Sequence, residues 1–176
     1  MRASVPVEPE SKLESMLESL HAASYGWALA CTARDPSEAA DVLQTAYVKV
    51  LGGTVRFEQR SSFKSWLFGV IRITALEHRR LRWFRRRRRT ESDAVDVPVA
   101  PSEPKVDRDT AEALSRGLAR LSDRQREVLH LTFYEGLSIS EAASVMSVAL
   151  GTARLHYERG KTALLVQLAR EGVSFP

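Results

Sequence analysis

Residues 137–165 read LSISEAASVMSVALGTARLHYERGKTALL. The stretch opens with Ser138-Ile139-Ser140-Glu141, a hydroxyl followed three residues later by an acid, the pattern of a reciprocal helix cap. Ile139, Ala142, Ala143 and Met146 then share one face of a short helix. The two alanines leave room for another helix to cross closely. A turn at Ser147-Val148-Ala149 leads into a longer helix from about Leu150. On it Ala153, Tyr157, Gly160 and Leu164 face inward, and Thr152, Arg154, Leu155, Glu158, Arg159 and Lys161 face solvent. This is the architecture of a helix-turn-helix, whose second helix fits the DNA major groove with its first N–H groups near phosphate. Spacing alone leaves a second reading open, a small helical bundle whose last helix has a basic face.

Working outward, Ser122-Asp123-Arg124-Gln125 starts a preceding helix with another capping box, and Gly136 stops it. Ala111, Leu114, Leu118 and Leu121 recur at helical spacing before that. Toward the N-terminus, Leu13, Met16, Leu17, Leu20, Ala23, Trp27 and Cys31 predict one helix over about residues 11–32. The sequence DPSE follows: Asp35 suits a cap, Pro36 the first helical position, and Glu38 the acid of a capping box. The next helix buries Ala39, Val42, Leu43, Ala46, Tyr47 and Val50 and ends at Gly52-Gly53. After the polar loop TVRFEQRSS, a third helix carries Phe63, Trp66, Leu67, Val70, Ile71 and Thr74 on one face. Strand-like alternation is absent, so the expected fold is all-α.

The third helix runs into RRLRWFRRRRR at residues 79–89, eight arginines in eleven positions. The formal net charge is only +4, but Thr54–Thr90 carries 12 bases against 2 acids. Glu91–Glu112 carries 7 acids against 2 bases, with three of the seven prolines close together. So sharp a split points to a polyanion at one place and a basic surface at another. The segment TESDAVDVPVAPSEPKVDRD has no period and too little apolar surface to order itself. The expected organisation is an N-terminal tail (1–10), a first helical domain (11–89), a flexible acidic linker (90–110), a second helical domain with the helix-turn-helix (111–170) and a C-terminal tail (171–176).

The single Cys31 excludes an intramolecular disulfide and reads as a buried structural thiol. The N-terminal residues lack the apolar core of a signal peptide and no apolar run approaches a membrane span, so a cytoplasmic protein without membrane insertion is expected. His21, His78, His130 and His156 are scattered, with no phosphate-cradling glycine loop and no nucleophile elbow. Neither enzymatic activity, nor a metal, a cofactor or a small-molecule substrate is expected.

The run LSDRQREVLHLTFYEGLSISEAASVMSVALGTARLHYERGKTAL resembles the C-terminal promoter-binding domain of bacterial extracytoplasmic-function (ECF) sigma factors. DPSEAADVLQTAYVKVL is similar to their polymerase-binding helix, and FEQRSSFKSWLFGVIRITALEHRRLR to their promoter-opening helix. The resemblance covers roughly residues 11–86 and 113–168. It implies a factor that binds core RNA polymerase, contacts the −10 and −35 elements of promoter DNA, and answers to an anti-sigma factor. It implies polymerase contacts at Asp41, Gln44, Thr45 and Tyr47. It implies −10 contacts at Phe57, Arg60, Ser62, Phe63, Lys64, Arg72, Arg79 and Arg80, and −35 contacts at Gly151, Thr152, Arg154, Leu155, Glu158, Arg159 and Lys161.

Basic and aromatic residues together suit that work, since melted bases stack on aromatic rings while Arg and Lys follow the backbone. For Trp66, core packing is the stronger reading; Phe57, in its loop, is the better base contact. The chain departs from the family pattern at Thr45 for glutamate, Ile73 for asparagine and Gly69 for a basic residue. Ala149 stands at the usual Ser cap, and Leu155, His156 and Glu158 replace Ser, Arg and His. An unusual −35 sequence, or a weaker dependence on it, is expected. Two other classes stay open on the residues alone: a duplex-binding regulator that ignores polymerase, and an RNA-binding adaptor built on the arginine run.

Overall fold

The computed structural model describes residues 9–88 and 108–173. The expected linker core, Arg89 and both chain ends lie outside the described residues. The chain divides into two compact units, Met1–Val97 and Pro98–Pro176. Every regular element among the described residues is helical.

The first unit holds α1 (Pro9–Ser19), α2 (His21–Cys31), α3 (Pro36–Leu51) and α4 (Phe63–Arg88). The single helix expected over 11–32 is broken at Leu20, whose backbone (φ −102°, ψ 1°) leaves the helical region. The cause is local. The Ser19 hydroxyl donates to Met16 O at 2.9 Å, and Leu20 N–H makes a tight bond to Leu17 O. A serine that bonds backward to a carbonyl competes with the helical ladder in this way. Cys31, expected to be buried, is only half-buried at the end of α2.

The core of this unit is Leu17, Trp27, Ala28, Ala39, Val42, Leu43, Ala46, Leu67, Phe68 and Ile71. Trp27 is fully buried in it, stacked on Phe68 with centroids 5.9 Å apart. Its indole N–H donates to Phe68 O at 3.0 Å, so the ring enters the core with no orphaned donor. Asp35 caps α3 by accepting from Glu38 N–H at 3.0 Å. Glu38 does not complete a capping box; its carboxylate pairs with Arg82 on α4 instead. Gly53, at φ 69°, ends the turn after α3 in the left-handed region that suits glycine.

The second unit holds α5 (Arg108–Ala119), α6 (Asp123–Leu129), α7 (Ile139–Met146) and α8 (Leu150–Arg170). Helix α5 therefore begins inside the stretch assigned from sequence to the linker. Leu121, Val128, Leu131, Ala142, Val145, Met146 and Ala153 form the core, while Leu114 of the expected α5 stripe is exposed. Both capping boxes form: Ser122 with Gln125, and Ser138 with Glu141. Arg126 donates to Leu118 O and Leu121 O, and Arg124 to Met146 O, so arginines satisfy the carbonyl ends of α5 and α7. Gly160 lets α8 cross α6 closely; a Cβ there would sit 3.1 Å from Gln125 Cβ and 3.2 Å from Leu129 Cδ1.

Trp27→Ala should destabilise the first unit by about 3–5 kcal/mol, since it removes a large buried ring. Hydrogen exchange followed by mass spectrometry should show faster exchange in α2–α4 and unchanged protection in α6–α8.

Candidate functional site

Helix α3 has two faces. Ala39, Val42, Leu43, Ala46 and Val50 are buried, whereas Asp41, Gln44, Val48 and Leu51 are exposed at i, i+3, i+7 and i+10. Val48 and Leu51 are 64% and 52% exposed. They were not singled out from sequence, although the same helical arithmetic, applied opposite the buried stripe, finds them. Thr45 and Tyr47 lie on the flanks. Thr45 Oγ1 meets His78 Nε2 of α4 at 3.4 Å, and Tyr47, half-buried rather than buried, meets His21 Nδ1 of α2 at 3.3 Å. Burial pushes the Tyr47 phenol up from its ordinary pKa, with the Ser24 hydroxyl pulling weakly the other way. Thr45 and Tyr47 thus brace α3 against its neighbours, and Asp41 and Gln44 look outward.

In the loop and α4, three aromatic rings gather. Phe57 meets Phe63 edge-on at 5.3 Å and Trp66 at 5.3 Å, and Phe63 and Trp66 are 5.4 Å apart. Their exposures correct two expectations. Phe63, assigned to DNA contact, is only 8% exposed and supports the other two rings from beneath. Trp66, read as core, is half-exposed because it lies on the outward side of α4. Arg72, expected to follow a DNA backbone, is 4% exposed; it falls beside the inward stripe of Phe68, Ile71 and Ala75. Ser62 caps α4, its Oγ accepting from Ser65 N–H at 3.2 Å, so its hydroxyl is engaged within the protein. Arg60 is exposed and pairs with Glu58 at 2.9 Å. Lys64 Nζ stands 5.4 Å over the Phe68 ring. Arg79 and Arg80 are exposed.

In the second unit, α7 and α8 form the helix-turn-helix. Gly151, Thr152, Arg154, Leu155, Glu158 and Arg159 are exposed along α8, and Lys161 is half-buried. Glu158 pairs with Lys161 at 3.2 Å, which mutes both charges on that face. Leu155 is 47% exposed at its centre, an apolar group of the kind that meets a thymine methyl. Ala149 occupies the cap position of α8 and supplies no side-chain hydrogen bond. Ser147 ends α7 in the left-handed region (φ 55°, ψ 47°), where a Cβ is unfavourable.

Between α6 and α7 the chain makes a π-helical turn, His130–Tyr134, which sequence spacing did not suggest. Glu135 N–H reaches back to His130 O, and the Thr132 hydroxyl donates to Val128 O. This turn leaves Phe133 and Tyr134 67% and 77% exposed, with Phe133 stacked on Tyr157 of α8 at 5.8 Å. Among the described residues no His, Cys, Asp or Glu cluster could hold a metal ion, and no helix is long and apolar enough to cross a membrane.

The turn of the helix-turn-helix is therefore weaker than its scaffold allows. Ala149→Ser should stabilise the second unit by about 1 kcal/mol through a new cap. Ser147→Gly should add about 1 kcal/mol by relieving the left-handed residue. Each should raise the midpoint of urea unfolding for α6–α8, and an unchanged midpoint would contradict the cap geometry.

The chain matches two family models, Sigma-70 region 2 over residues 16–90 and Sigma-70 region 4 over residues 111–164. It is 31% identical over 141 residues to the ECF RNA polymerase sigma factor SigC of Mycobacterium tuberculosis, covering 79% of this chain and 75% of the relative. It is 31% identical over 187 residues to the ECF RNA polymerase sigma factor SigL of the same species, covering 98% of each. Its fold is similar to that of the sigma factor RpoE, solved in complex with the anti-sigma factor NepR from Bartonella quintana. There the TM-score is 0.76 at 23% identity, over 90% of this chain and 97% of that one. Two sigma-70 domains in this order, on helices whose outward faces carry the basic and aromatic residues just described, make the chain a member of the ECF family of RNA polymerase sigma factors.

Proposed function

We propose that this chain binds core RNA polymerase, directs it to particular promoters through the −10 and −35 elements, and helps to melt them. It regulates initiation and performs no chemistry of its own. The observation that carries this reading is the pairing, within one unit, of an exposed α3 face with an outward α4 face rich in aromatic and basic groups. A duplex-binding regulator would use α7–α8 and leave both of those faces without a task.

In this reading Asp41, Gln44, Val48 and Leu51 dock on polymerase, and Thr45 and Tyr47 hold the docking helix in place. Phe57 and Trp66 receive unstacked bases, each stack contributing roughly 1–3 kcal/mol. Arg60, Lys64, Arg79 and Arg80 supply salt-dependent attraction to phosphate. Thr152, Arg154, Leu155 and Arg159 read the −35 element, and Glu158, paired with Lys161, offsets one positive charge of that helix. The expected outcome is a −35 preference unlike that of more basic recognition helices. The RpoE relative was solved with an anti-sigma factor, and we extend control by such a partner to this chain. Its work places it in the cytoplasm, with polymerase and promoter DNA.

Run-off transcription with purified core polymerase tests the reading. Transcripts of defined start should appear only when the full chain is added; their absence from a broad set of promoter fragments would contradict it. Leu51→Asp, at an exposed position, should leave the fold intact and weaken core binding by more than about tenfold, the scale of an interface hot spot. Anisotropy of the labelled full chain titrated with core polymerase measures that loss.

A further inference from the structure

Consecutive residues of α6 each hold a different helix of the second unit. Arg124 Nη1 donates to Met146 O at 3.2 Å, at the end of α7. Gln125 packs against α8, where a Cβ on Gly160 would come within 3.1 Å of Gln125 Cβ. Arg126 donates to Leu118 O and Leu121 O at the end of α5. The bond from Arg124 ends on the turn that aims the recognition helix.

That turn is short. Met146 is the last residue of α7, Ser147 is left-handed at φ 55°, and α8 begins at Leu150. Ser147 N–H and Val148 N–H reach back to Ser144 O and Ala143 O. The Met146 carbonyl is satisfied from α6 instead, by Arg124. Ala149 provides no side-chain cap, so it does not fix where α8 starts. Further along, α8 is seated at Gly160 against Gln125 and Leu129, and Ala153 is fully buried. Gly151 lies nine residues before Gly160, about 13 Å along the axis. A tilt of about 5° around Gly160 moves that end by about 1 Å, and a hydrogen bond to a base edge fails over such a distance.

The guanidinium is itself set by Glu127, one turn along α6. Glu127 Oε2 lies 3.4 Å from the same Nη1, and the Glu127 side chain is only 14% exposed. The Arg124 side chain is 42% exposed, so as an ion pair the contact contributes little stability. What it contributes is direction, since a planar fork held by a fixed acid keeps one N–H aimed at one carbonyl.

Resting on the promoter reading above, we infer that Arg124 is a positioning residue for −35 recognition. It acts through Met146 O: the bond locks the α7–α8 turn, and the turn holds Thr152, Arg154 and Leu155 in register with base edges. Discrimination between sequences depends on that register, whereas attraction to phosphate falls gently with distance. Loss of the bond therefore separates two properties of −35 binding. Discrimination falls, and salt-dependent affinity for any sequence stays.

The test uses holoenzyme formed from the full chain and core polymerase. Its DNA is a promoter fragment on which the unaltered holoenzyme gives a defined start, and a copy with the −35 element scrambled. Affinity for both is measured across a range of salt. Arg124→Met should lower the ratio between the two fragments about tenfold, the scale of one lost base contact. The slope of log affinity against log salt should stay unchanged. Arg124→Lys keeps a donor for Met146 O without the fork, and should restore about half of that loss on a logarithmic scale. Equal losses on both fragments, with a slope flatter by about one phosphate, would make Arg124 a direct DNA contact and overturn the proposal. So would an unchanged ratio in Arg124→Met. A slope flatter by several contacts in both variants would overturn it as well, by making Arg124 a residue that keeps the second unit folded. If no fragment gives a defined start with the unaltered chain, the promoter reading itself fails, which separates the two outcomes.

Discussion

The seating of Trp27 against α4 is the constraint on which the first unit depends. One buried ring stacks on Phe68 and donates to its carbonyl, fixing both the rotation and the height of α4 against α2. A stacking contact alone would allow the helix to roll; the hydrogen bond supplies direction. Two pairs on the surface agree with that setting, Arg82 with Glu38 and Lys49 with Glu77, although exposed pairs of this kind contribute little energy. With its inner face held this way, α4 must show Trp66, Ile73 and Phe84 to the outside. Function in this unit follows from which side of one helix is occupied by the core.

Much of this was legible in the sequence where the information is local. Capping boxes at Ser122 and Ser138 need only four residues each, and both formed. The glycine stops at Gly53 and Gly136, both with positive φ, are equally short-range. The all-α class and the helix-turn-helix followed from period alone. What failed lies at the edges of stripes. Phe63 fell on the apolar stripe by period and is buried, whereas Trp66 and Arg72 sit close to the boundary between inward and outward sides of α4, where period cannot decide and tertiary packing does. The break at Leu20 turned on one serine hydroxyl bonding backward, and the π-helical turn on Thr132 and the chain's return at Gly136. Neither interrupts the apolar pattern, so neither left a signal in it. Val48 and Leu51 lie opposite the buried stripe of α3, where an apolar residue is no sign of the core and period alone assigns it no role.

The second unit shows a different compromise. Its scaffold is well determined by reciprocal caps, by arginines on two helix ends and by the close crossing at Gly160. Its reading element is not. Ser147 is held in an unfavourable conformation, Ala149 leaves α8 uncapped, and Glu158 with Lys161 reduces the charge of the exposed face. A recognition helix of this kind gains less from phosphate attraction and more from shape at Leu155. In the proposed reading, DNA affinity then rests more heavily on the first unit, where the aromatic and basic groups of α4 are concentrated.

In the proposed reading α4 engages a separated DNA strand while the chain rides on polymerase. Permanganate reactivity of thymines across a promoter, with core polymerase, with the chain, and with both, measures this directly. A short reactive window near −10 is expected only when both are present. Protection over the −35 region with duplex maintained throughout −10 would contradict it, and would make the chain a reader of closed DNA.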